Sequence, residues 1–183
     1  QIHNQYPPLS KMIHLVSGFS DLKSLVIAYD FCPRVTSQSI QDLVIGLKSL
    51  RNLRELEISF DYCWLNRVEQ KATMFDFMCI CAAVGDILEL KKLGLKFRTW
   101  KIDDFQFDFL TERIERLKFL VEIDLRFGPR MISYECLKRQ MMVFSRMLGL
   151  DKVKLDYPVE NNEKMEKLLK CLRPEQMKNA EVF

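Results

Sequence analysis

Residues able to do chemistry are scarce in this chain, and their surroundings decide what each is for. Only two histidines occur, His3 near the start and His14 beside an apolar helical stripe, and neither has a partner that suggests a site. There is no glycine-rich phosphate loop, nucleophile elbow or zinc-binding helix motif, and six glycines are few for cradling a cofactor. Asp103 and Asp104 stand side by side, an arrangement that acid or metal chemistry can use, but they precede a helical pattern and are better placed to cap it. The six cysteines are Cys32, Cys63, Cys79, Cys81, Cys136 and Cys171. Their even number invites a disulfide reading. Their neighbours are apolar, however, and their positions follow a repeat, as small buried thiols do in a reducing compartment. Cys79-Ile80-Cys81 is too tight for the usual zinc half-site and has no matching second pair. These residues predict no catalytic centre, no metal site and no cofactor, in an intracellular, cytoplasmic setting.

What must position any site is a word spelled five times: aliphatic, two variable letters, aliphatic, one variable, aliphatic, one variable, aromatic. It runs Leu22-Leu25-Ile27-Tyr29, Leu53-Leu56-Ile58-Phe60, Leu90-Leu93-Leu95-Phe97, Leu120-Ile123-Leu125-Phe127 and Leu150-Val153-Leu155-Tyr157. Alternation of this kind is a strand pattern. Before each word, apolar residues recur three, six, nine or ten, and thirteen positions back, which is one face of a helix. The five stripes are Leu9-Met12-Ile13-Val16-Phe19, Ile40-Leu43-Val44-Leu47-Leu50, Phe77-Ile80-Cys81-Val84-Ile87, Phe107-Leu110-Ile114-Leu117 and Leu137-Met141-Phe144-Met147. Expected caps are Ser37 or Ser39, Thr73 with Asp76, Asp103 or Asp104, Ser133, and Asn161 or Asn162. Met165, Leu168, Leu169 and Leu172 suggest a sixth helix, Met177-Ala180-Val182 a sixth strand near 177–183, and Pro158 a loop.

Starts at residues 22, 53, 90, 120 and 150 give spacings of 31, 37, 30 and 30. A repeat of this length is one supersecondary unit that stacks on its neighbours to bury its apolar side, so the expected fold is an α/β solenoid in a single domain over residues 1–183. The chain has 48% hydrophobic residues, enough for one continuous core. No apolar run is long enough to span a membrane, and the start lacks a signal-peptide pattern. Starting at Gln1 and stopping inside a strand-like stretch, it reads as a fragment or a processed product.

The five words and their helical stripes resemble the leucine-rich repeat family, in its long, helix-containing, ribonuclease-inhibitor-like type. That resemblance implies a right-handed solenoid with a parallel β-sheet on the concave face and helices on the convex face. After the aromatic letter the family usually places Asn or Cys; here Cys32 and Cys63 fit, while Trp100 and Arg130 depart, and Trp100 is expected to pack under its turn. The extra aromatic letter is similar to divergent repeats of ciliate proteins.

The variable letters of each word alternate away from the core and are the candidate binding surface. From the first strand to the fifth they are Ser24, Val26, Ala28; Glu55, Glu57, Ser59; Lys92, Gly94, Lys96; Glu122, Asp124, Arg126; and Lys152, Lys154, Asp156. Charge alternates from strand to strand, which predicts the pairs Glu55–Lys92, Lys92–Glu122 and Glu122–Lys152, and leaves Val26 and Ala28 as an apolar foothold. A second candidate is the insertion behind the 37-residue spacing, at 61–73, where Trp64 and Arg67 have the composition of a protein-binding hot spot. The protein-binding candidates are therefore Val26, Ala28, Glu55, Glu57, Lys92, Lys96, Glu122, Asp124, Arg126, Trp64 and Arg67. The expected function is noncatalytic binding of other proteins, as a scaffold, adaptor or subunit of a hetero-complex. A ubiquitin-ligase recognition arm, which would need an F-box-like segment upstream, is one alternative. A nucleic-acid-associated subunit is another, although a formal charge of +3 and alternating face charges argue against nucleic acid.

Overall fold

A computed structural model describes residues 11, 15, 18–30, 35–61, 70–128, 132–157 and 162–182. Strands and helices alternate along the chain: β1 (Ser24–Ala28), α1 (Ser37–Ser49), β2 (Glu55–Ser59), α2 (Gln70–Gly85), β3 (Lys92–Phe97), α3 (Asp104–Glu115), β4 (Glu122–Phe127), α4 (Tyr134–Arg146), β5 (Lys152–Asp156), α5 (Asn162–Leu169), α6 (Pro174–Lys178) and β6 (Ala180–Val182). Of the helix expected over 9–19, residues 11, 15, 18 and 19 are described, and 11 and 15 are helical.

All six strands are parallel and lie in chain order from β1 to β6. Their register places the words letter over letter: Leu25, Leu56, Leu93, Ile123 and Val153 form one column, and Ile27, Ile58, Leu95, Leu125 and Leu155 the next. A slip of one residue would turn every one of these side chains to the other face, so the apolar pattern itself fixes the pairing. The aromatic letters stack into a spine. Phe97 lies over Phe127 at 6.3 Å between ring centroids, Phe127 over Tyr157 at 5.8 Å, and Phe60 against Phe97 at 5.8 Å. Phe77 from α2 and Phe107 from α3 meet this spine edge-on, at 5.4 Å from Phe97 and 5.5 Å from Phe127, the geometry that ring quadrupoles favour. Trp100 is buried beneath its turn, 4.9 Å from Phe97, as expected.

Each helix packs on the next, from α1 through α5. The predicted stripes of α1 to α4 face the core, with Val44 and Met147 only partly covered. Phe19 is a correction: it is 63% exposed. Its unit carries β1, the edge strand, so it is flanked by a neighbouring unit on one side only. Gly85 permits the close approach of α2 to α3, since a Cβ there would lie 2.9 Å from Cβ of Arg113.

Helix starts follow the expected chemistry with shifts of a few residues. The cap of α1 is Thr36, whose hydroxyl accepts from the Ser39 N–H at 3.2 Å, while Ser37 instead donates to Asp76 at 2.8 Å. Asp103 caps α3 in a reciprocal box with Gln106, and Ser133 caps α4. Thr73 starts nothing: α2 already begins at Gln70 and is 16 residues long against 12 in α3, so part of the insertion lengthens a helix. Met177 lies in α6 rather than in the last strand, because Pro174 at the first helical position favours a helical turn there.

Candidate functional site

The sheet face opposite the helices carries the candidate letters in three columns. Val26 is exposed, Ala28 stands beside it on the edge strand, and together they form the neutral end of the face. Along the first column, Glu55 accepts from Lys92 at 3.0 Å and from Ser24 at 3.2 Å, and Lys152 lies 3.6 Å from Glu122. Lys92 and Glu122 sit opposite each other in register, but Lys92 turns to Glu55, so the expected Lys92–Glu122 pair is replaced by two separate pairs. The hydrogen bond from Lys92 holds the Glu55 carboxyl below its ordinary range, and the same bond raises Lys92.

In the middle column Gly94 has no side chain to set against Glu57 and Asp124, its register partners. Glu57 leans across it, with Cγ 3.1 Å from where a Gly94 Cβ would be, and pairs with Lys96. On the other side Asp124 accepts from Nε and Nη2 of Arg126, at 2.8 and 2.9 Å. The missing side chain leaves a hollow of about 280 Å³, floored by strand backbone and rimmed by Glu55, Glu57, Glu122 and Asp124 against Lys92 and Lys154. Each of these carboxylates has a cationic partner, Lys92, Lys96, Lys152 or Arg126, so paired charges line the hollow. Lys154 also reaches Glu181 of β6 at 3.3 Å, which extends the paired charges to the last strand.

The third column departs from simple alternation. Ser59, expected on the exposed surface, is buried and donates to Asp30. Asp30 also accepts the Asp61 N–H at 3.0 Å, and the buried Asp61 carboxylate takes the Arg98 N–H at 2.9 Å and Nη1 at 2.6 Å. Arg98 reaches on to Asp156, with Nε at 2.9 Å. Burial works against its charge, but the Asp156 hydrogen bond and the charges of Asp61 and Asp156 outweigh it and raise its pKa. Sequence reasoning missed this network, although the signal was present: Asp30, Asp61 and Arg98 all directly follow the aromatic letter of their word. Gly128 holds the same place in the fourth word, where a Cβ would strike the Arg98 carbonyl.

Trp64 and Arg67, like His3, His14, Cys32, Cys63 and Arg130, lie outside the described residues. Cys79, Cys81, Cys136 and Cys171 are free. Burial pushes the Cys81 thiol well up, and burial together with the Asp108 carboxylate raises Cys136 to about 12, so neither is an available nucleophile. No helix among the described residues is long and apolar enough to cross a membrane. No family model matches this sequence, and no curated protein matches it.

Proposed function

We propose that this chain is a leucine-rich repeat solenoid of the long, helix-containing type, acting as a noncatalytic protein-binding module in a cytoplasmic hetero-complex. The observation that carries the reading is the letter-over-letter register, which lines up variable positions from successive strands on one open face. A preformed face of this kind binds with little ordering cost, because its side chains are already held by their cross-strand partners. Val26 and Ala28 supply apolar contact at one end, and the polar hollow around Gly94 supplies polar contact at the centre. The free thiols support a reducing compartment.

Replacing Glu55 and Glu57 together by Lys reverses the charge of the hollow's rim without touching the core. The expected outcome is loss of the co-purifying partner with the parent circular dichroism spectrum. Unchanged binding would transfer the site to the helices or to the 61–73 insertion.

A further inference from the structure

The turns that lead from each helix into the next strand form an edge unlike the face beside them. Lys23, Arg54 and Lys91 occupy one position in the first three units and are hydrogen-bonded in series through backbone, Arg54 N–H to the Lys23 carbonyl at 2.8 Å and Lys91 N–H to the Arg54 carbonyl at 2.7 Å. Three like charges thus stand on adjacent strands, at a spacing of about 4.8 Å. With the neighbouring Arg51 they are all exposed, and their side chains have no hydrogen-bond or ion-pair partner among the described residues. Over the five turns 18–23, 50–54, 86–91, 116–121 and 147–151, six lysines and arginines face four carboxylates, with Arg116 paired to Asp86 at 3.4 Å.

Large apolar side chains project from the same turns. Leu148 is 84% exposed, Phe119 56% and Leu88 51%, and Phe19 stands at the equivalent end of the first unit. The turns stack directly: a Cβ on Gly149 would lie 3.5 Å from the Leu120 carbonyl, and Asn52 donates to the Ser20 carbonyl at 3.1 Å. The cations come from the first three units and Leu88, Phe119 and Leu148 from the last three, so one edge of stacked turns carries both.

We propose that this edge docks on an anionic lipid surface, the cations meeting headgroups while Leu148, Phe119 and Leu88 enter the interfacial layer. Such a surface satisfies both sets of side chains at once. Nucleic acid would use the cations and leave the apolar tips in water. An acidic protein segment would likewise meet the cations without covering Leu88, Phe119 and Leu148.

The test is co-sedimentation of the chain with phosphatidylcholine vesicles and with equimolar phosphatidylcholine–phosphatidylserine vesicles. Binding to the second and not the first is expected. Each Lys or Arg near such a surface contributes roughly fivefold in partitioning, so R51E together with R54E should lower it by at least about twenty-five-fold. F119S with L148S should also weaken it, both pairs keeping the parent circular dichroism spectrum. Absence of binding to the anionic vesicles overturns the proposal. So does binding that the apolar pair leaves unchanged, and so does tighter binding to duplex DNA that ignores that pair.

Discussion

The two ends of the same strands treat their arginines in opposite ways. At the end where the words finish, Arg98 is clamped between Asp61 and Asp156, and Arg126 is held by Asp124. At the end where they begin, Arg116 pairs with Asp86 at 3.4 Å and Arg173 donates to the Leu148 carbonyl at 3.2 Å, but Arg51 and Arg54 extend into water with no partner among the described residues. Arg98 ties the turns of different units together, whereas Arg51 and Arg54 have no such role among the described residues. A cation kept without an internal partner is available to an external one, as the proposed lipid-facing edge requires.

Three measurements sharpen or break that contrast. Leu125→Ala, midway between the ends, sets the scale: a cavity in a fully buried column should cost roughly 2 to 5 kcal/mol by chemical denaturation. A small loss there would contradict the inward assignment of the letter. Arg98→Met should cost roughly 1.5 to 3 kcal/mol, since it strands the buried Asp61 carboxylate. Arg54→Met should stay within about 0.5 kcal/mol of the parent, and equal losses at the two arginines would erase the contrast.

The smaller effects concern titration. Lys92 lowers the Glu55 carboxyl below its ordinary 4.5, so the pair's contribution is present above that value and disappears as pH falls through the lowered one. Glu55→Gln should therefore leave stability less sensitive to acid below pH 4.5, as read from urea midpoints against pH. A profile as steep as the parent's would show that the pair contributes nothing. In the native state Cys81 and Cys136 should resist iodoacetamide at mildly alkaline pH, because their raised pKa values leave almost no thiolate. Rapid alkylation of either would contradict its burial.

Much of the sheet and helix pattern was legible because periodicity reports burial. Ile58, Leu95 and Leu125 alternate with polar letters, and each is fully buried in the expected column. What failed depends on groups that periodicity does not record. Phe19 obeys the helical spacing, but its unit lies at the sheet edge and leaves it uncovered. Ser59 obeys the alternation of an exposed letter, yet the Asp30 turn folds over it to accept its hydroxyl. Charge alternation anticipated Glu55–Lys92 and Glu122–Lys152 but not the pull of Gly94, whose missing side chain lets Glu57 lean towards Lys96. Alternation along a strand says which way a letter points; which neighbour it finds depends on the side chains across the sheet.

The central claim is that the open sheet face between these two ends is where the chain binds its partner. Cross-linking mass spectrometry on the native assembly tests it most directly, because lysines mark each surface. The account predicts links to the partner through Lys92, Lys96, Lys152 and Lys154 of β3 and β5. Links confined to Lys48, Lys138 and Lys167 on the helices would contradict it.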